Sequence, residues 1–245
     1  MERVRRRLKG FDVQQLEATR EARKGRAKGG VLLAIRRGKN MNMIGEMKKE
    51  NKEVIWGKVK VGGKEWLVGT TYMREARREN WEKISEVAEG HPGTAVVFGG
   101  DYNARIGREG GRWLGGRGEE EEEERGRGSK DGMINAEGRE IIENMREAGL
   151  HVLNGNVEGE EIGEFTFVGA QGRSTIDYVV VNEEGREEME SMRIEKRTES
   201  DHLPLVVVMK CGEEEEEEEV LGEMEDWSEE GMKVYLEKLG EKEVE

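Results

Sequence analysis

Apolar positions along this chain fall into short runs broken by glycines and charges, with two stretches of helical spacing between them. Residues 30–35 are an apolar run bounded by glycines and basic residues, which predicts a strand. Val54–Val61 and Lys64–Tyr72 flank Gly62 and Gly63, and two β-rich runs around a Gly-Gly pair predict a hairpin. Over residues 75–89 the period lengthens. Trp81, Ile84 and Val87 with Ala88 return at helical spacing, and His91-Pro92-Gly93 stops the helix. Residues 94–99 then predict a buried strand, and residues 136–148 a second helix capped by Asn135 and closed at Gly149. Further strands are expected at residues 150–153, 165–168, 175–181, 192–195 and 203–209. Many strands, few helices and several tight glycine turns predict an α+β sandwich, sheets packed together with helices outside.

Composition changes that picture at two places. Residues 119–124 are six consecutive glutamates, and residues 213–219 are seven. Such blocks repel themselves and carry nothing apolar to bury, so each predicts solvated loop or linker. The first, with the glycines between Gly110 and Gly128, is expected to be an inserted surface loop. The second separates a main body, residues 1–210, from a tail, residues 211–245. Residues 226–239 of that tail predict an amphipathic helix with Met232, Tyr235, Leu236 and Leu239 on one face. The chain has 245 residues, of which 34% are hydrophobic and 39% charged, which suits one domain plus a short appendage.

The net charge of −14 is not spread evenly, because setting the two glutamate blocks aside leaves −1. Residues 1–40 hold thirteen Lys and Arg against four acids, a local attractor for phosphate that fits nucleic-acid contact and a solvated surface equally well. Cys211 is the single cysteine, so no internal disulfide forms, and a reducing, intracellular setting is the expectation. No apolar run is long enough to span a bilayer, and no signal-peptide segment follows Met1, so no membrane partner is expected.

Candidate chemistry sits at strand ends. In Gly99-Gly100-Asp101-Tyr102-Asn103 an apolar strand runs into two glycines and then an acid and an amide two residues apart. In extended backbone such residues project to one side, so Asp101 and Asn103 can face one cleft, while the glycines admit close approach of a substrate. The same tripeptide also suits an Asx turn. Asp177 lies inside a strongly apolar strand, where an acid needs a partner. Ser200-Asp201-His202-Leu203-Pro204 places an acid beside an imidazole at the mouth of the last apolar strand, and Tyr72 ends a strand with a phenol. His91 reads as turn punctuation and His151 as a strand start.

Those segments, in that order, resemble the endonuclease/exonuclease/phosphatase superfamily, and more narrowly the endonuclease domain of a non-LTR retrotransposon. Lys28-Gly29-Gly30, Ser129-Lys130-Asp131, Asn135 with Gly138, and Leu153-Asn154-Gly155 also resemble landmarks of that group, over residues 5–210. The resemblance implies a four-layered α/β sandwich, two mixed sheets face to face with helices outside. It implies metal-dependent phosphodiester hydrolysis on DNA, gripped by its phosphate backbone, with Mg²⁺ as the expected ion and Mn²⁺ as its substitute. It implies that Asp101 positions or deprotonates the attacking water and that Asn103 and Tyr72 hydrogen-bond the phosphate. His202 would bind or protonate a phosphate oxygen, oriented by Asp177, and Asp201 would ligate the metal. The tail resembles the connector that leads to a reverse transcriptase, a domain absent here. Members of that group begin with a strand bearing an Asn and a second ending in a metal-binding Glu. Residues 1–30 instead resemble the region after that glutamate, so the first strands are expected to be missing and activity impaired. Glu17, set among polar and basic residues, is a poor substitute. Two alternatives follow: a catalytically inactive nucleic-acid-binding remnant, and another phosphodiesterase or phosphatase on the same fold.

Overall fold

The computed structural model describes residues 8–18, 29–38, 40–74, 77–110, 126–196 and 200–210. The chain divides into two units, Met1–Gly212 and Glu213–Glu245, and the described residues all lie in the first. Both glutamate blocks and the expected tail helix fall outside the described residues. In chain order the elements are β1 (Phe11–Leu16), β2 (Val31–Arg36), β3 (Met41–Lys49), β4 (Val54–Val61), β5 (Lys64–Tyr72), α1 (Arg77–Glu89) and β6 (Ala95–Asp101). They continue with α2 (Ala136–Glu147), β7 (His151–Val152), β8 (Phe167–Gly169), β9 (Gly172–Ser174), β10 (Asp177–Val181), α3 (Glu183–Glu187), β11 (Met189–Ile194) and β12 (Leu205–Met209).

Six strands form the central sheet, in the order β3-β4-β5-β6-β10-β7. Gly62 and Gly63 both have positive φ, +54° and +84°, the backbone that a two-residue hairpin turn demands, and they join β4 to β5. Helix α1 then carries the chain across to β6, which pairs parallel to β5; every other neighbour in the sheet is antiparallel. One face of this mixed sheet packs on the helices. Trp81, Ile84 and Val87 of α1 and Ile141 and Met145 of α2 meet Val54, Trp56, Leu67, Val96, Phe98 and Val180. The other face meets Val31, Leu33 and Ile35 of β2 and Met189 and Met192 of β11, over Ile55, Val59, Trp66, Val179 and Val181. Burying each such side chain contributes about 1.5–3 kcal/mol, which is why alternate strand residues commit to opposite faces.

The result is an α+β sandwich, and the described residues supply three of its four expected layers: helices, mixed sheet and a second β layer. That second layer consists of two separate antiparallel hairpins, β1-β2 and β11-β12, while β8-β9 forms a further small hairpin. Four elements were not anticipated from sequence. The polar Phe11–Leu16 segment carries no alternation, β3 is interrupted by an irregularity between Ile44 and Lys48, β9 has only three residues, and α3 depends on its cap Asn182. The far side of the glycine-rich insertion is also not surface, since Arg127 and Ser129 are buried. Among the described residues no helix is long and apolar enough to cross a membrane.

Candidate active site

Tyr72, Asp101 and Asp177 occupy one row across three adjacent strands. Tyr72 at the end of β5 is the register partner of Asp101 at the end of β6, and Asp101 is the register partner of Asp177 at the start of β10. Strand alternation puts Asp177 on the face of Val179 and Val181, the face toward the hairpins, and Tyr72 packs there as well. Strand pairing thus brings together residues far apart in sequence and presents them at one sheet margin.

His202 reaches this row from the segment before β12. That segment is moored to β8 by Leu203 N–H donating to Thr166 O at 2.7 Å and Val168 N–H donating to Asp201 O at 2.8 Å. The Phe167 ring meets the imidazole edge-on at 5.0 Å between centroids. Nδ1 of His202 lies 2.9 Å and 3.1 Å from the two oxygens of Asp177. Nδ1 therefore donates to that carboxylate, which fixes the ring and turns Nε2 toward Asp101, 4.0 Å from its Oδ2. The partner that a buried Asp177 required is His202.

The Asp101 carboxylate is held from the other side. Asn103 N–H donates to Oδ1 at 2.8 Å, an Asx turn. The Asx-turn reading is realised: Oδ1 closes the turn while Oδ2 faces the imidazole. Asn103 has φ +48°, the single positive φ outside glycine among the described residues, and Asn tolerates that region through its short polar side chain. Burial pushes Asp101 up to about 6, the nearby Asp177 charge adds to this, and the Asn103 N–H and His202 oppose it. Burial also raises Asp177, against the hydrogen bonds of Thr166 and His202.

Asp101, Asp177 and His202 each offer a ligand atom, all within 4.8 Å of one another, so the cluster can hold a metal ion. Two carboxylates and an imidazole form a donor set that divalent cations accept. The carboxylate of Asp201 is not in this group, and that residue meets the structure through its backbone carbonyl. Glu17 is exposed just beyond β1 and is also outside it.

No protein-family model and no curated protein matches the sequence at a significant level. Solved structures do match. The endonuclease domain of TRAS1, a telomere-specific non-LTR retrotransposon, superposes with a TM-score of 0.59 at 20% identity, covering 84% of this chain and 82% of that one. The AP endonuclease LMAP from Leishmania major gives 0.56 at 13% identity, covering 82% and 71%. The 3′–5′ exonuclease NExo from Neisseria meningitidis gives 0.51 at 13%, covering 83% and 81%. The fold is of the endonuclease/exonuclease/phosphatase type. Within this fold the acid–imidazole cluster lies where strand termini of the central sheet meet the segment leading into β12.

Several residues that build this acid–imidazole site carried no chemical signal in sequence. Thr166 is fully buried, and its Oγ accepts the N–H groups of Ile176 and Asp177, both at 3.0 Å. Asn154 donates to Asp177 O at 3.2 Å and accepts Val179 N–H at 3.0 Å, gripping the first turn of β10. Asn154 was visible only as part of a landmark, and Thr166 only as a polar residue between two phenylalanines. Of the two glycines before Asp101, Gly100 is required by the strand packing itself. A Cβ on Gly100 would meet the Thr71 carbonyl oxygen at 1.9 Å, so β5 requires that glycine, whereas a Cβ on Gly99 would meet only Val179 at 3.9 Å.

Proposed function

We propose that this chain is a nuclease that hydrolyses DNA phosphodiester bonds, of the kind found in non-LTR retrotransposons. The observation that carries this reading is the Asp177–His202–Asp101 alignment: an imidazole pinned at Nδ1, with its Nε2 and a carboxylate of raised pKa facing the same space. The structural likeness to nucleases supports nucleic acid as the substrate class.

Asp101 is placed to orient a water and take its proton, because a base that titrates near 6 is ionised at neutral pH yet still a competent acceptor. His202 Nε2 would donate to a phosphate oxygen, with Asp177 stabilising the imidazolium through Nδ1. Asn103 and Tyr72 flank Asp101 and would hydrogen-bond the phosphate. Asp201, adjacent to His202, is proposed to contact the ion through its carboxylate. A divalent ion such as Mg²⁺ held by the carboxylates of this site would supply charge neutralisation at the phosphate.

The test is nicking of supercoiled plasmid in Mg²⁺ and in Mn²⁺. Wild type should convert it to open circle, and Asp101→Ala and His202→Ala should each lose at least about a hundredfold in rate. Wild-type nicking that is absent, or that survives Asp101→Ala unchanged, sinks the reading.

A further inference from the structure

Asp131 lies outside the acid–imidazole cluster, yet it touches both loops that form it. The residue is 3% exposed. Its carboxylate receives Nε of Arg105 at 2.8 Å and, on the other oxygen, Nη2 of the same guanidinium. It also accepts Thr175 N–H at 2.9 Å and Met133 N–H at 3.1 Å. Arg105 follows Asn103 by two residues, and Thr175 precedes Asp177 by two. One buried carboxylate therefore ties the loop after β6 to the loop before β10.

Its surroundings hold it rigidly. Asn135 grips the Arg105 backbone in both directions, accepting Arg105 N–H at 3.0 Å and donating its own N–H to Arg105 O at 3.1 Å. Ser129 Oγ donates to Asp131 O at 2.8 Å. The Tyr178 hydroxyl forms a parallel tie, donating to Thr175 O at 2.5 Å and accepting Ile106 N–H at 3.3 Å. A buried ion pair adds little net stability over apolar packing of the same volume, so its directional hydrogen bonds do more for geometry than for folding. Catalytic geometry tolerates little error, since a displacement near 1 Å can cost about a hundredfold in rate.

We infer that the Asp131–Arg105 pair is a positioning device that sets the Asp101–Asn103 turn against the Asp177–His202 pair. Its catalytic consequence rests on the nuclease reading; its effect on the two loops does not. Neither residue reaches the reacting atoms, and both act through the backbone they hold.

Three variants test this on the full chain: Asp131→Asn, Arg105→Lys, and Ile141→Val as a core control on α2 that costs stability without touching the pair. Asp131→Asn should lower kcat for plasmid nicking by about tenfold to a hundredfold with KM for DNA nearly unchanged. Arg105→Lys, which keeps the charge but not the two-pronged contact, should fall between it and wild type. In parallel, amide hydrogen exchange should speed up about tenfold at Asn103 and Asp177 in Asp131→Asn, while Val96 and Phe98 keep wild-type protection. Exchange that is unchanged, or that rises uniformly as in Ile141→Val, overturns the inference, as does a kcat loss no larger than that of the control. An inactive wild type with local loosening in Asp131→Asn removes the nuclease reading and leaves the positioning role standing.

Discussion

At the scale of single residues, Asp101 couples the site to stability. Its folded pKa of about 6 stands above the ordinary value of 3.8, so the folded state holds the proton more tightly than the unfolded chain. The resulting stabilisation is fully present below 3.8 and is lost as pH rises through about 6. Above that pH the fold must keep an ionised carboxylate beside Asp177. Asp101→Asn removes that charge while keeping an acceptor for the Asn103 N–H. The variant is expected to be more stable than wild type at pH 8, on the order of 3 kcal/mol, and nearly equal to it at about pH 3.5, below both pKa values. Urea unfolding at the two pH values measures this, and equal differences at both would show that folding does not raise the Asp101 pKa. The residues of this site were legible in sequence as types, because acids in apolar strands and an acid beside an imidazole are unusual. Thr166, which bonds Asp177, was not, because a buried threonine has no signature until its neighbours are known.

At the scale of elements, the parallel pairing of β5 with β6 is what sets Tyr72 beside Asp101. The approach depends on Gly100, whose absent side chain leaves room for the Thr71 carbonyl. Gly100→Ala is expected to destabilise the fold by about 2–3 kcal/mol, because the atoms its Cβ would meet are Thr71 backbone, which cannot swing aside as a side chain would. Gly99→Ala, whose Cβ would make only an ordinary contact with Val179, should cost well under 1 kcal/mol. Thermal unfolding of the two variants side by side decides between this and a role for both glycines in substrate approach. Helix α1 was readable from its apolar period and stop signal, and α2 from its cap Asn135 and its closing glycine. β1 and β3 were not: Gln14 and Gln15 pair with Leu33 and Leu32 of β2, so the partner strand supplies the order that the sequence of β1 lacks.

At the scale of the molecule, the cluster links metal binding to pH. A cation at Asp101 and Asp177 requires both carboxylates ionised, so it must displace the proton that burial retains on Asp101. Millimolar Mg²⁺ or Mn²⁺ should therefore raise the melting temperature at pH 7.5, by the equivalent of about 2.7 kcal/mol at a hundred times Kd, and much less at pH 5. Scanning calorimetry at the two pH values gives the comparison. A metal effect independent of pH, or one unchanged in Asp101→Asn, would place the ion elsewhere.

What the sequence by itself determined was the inventory of elements and the chemical types at their ends, since hydrophobic period, caps and glycine turns act over a few residues. Its order of motifs was enough to point to the endonuclease/exonuclease/phosphatase type before any coordinates. Tertiary structure alone decided which ends share a row, that His202 turns Nδ1 to Asp177 and Nε2 to Asp101, and that Asp131 fastens both loops. Those facts depend on strand register and on contacts spanning 25 residues, between His202 and Asp177, to 101 residues, between His202 and Asp101. No local rule encodes such contacts, because their free energy exists only once the two sheet faces have been buried.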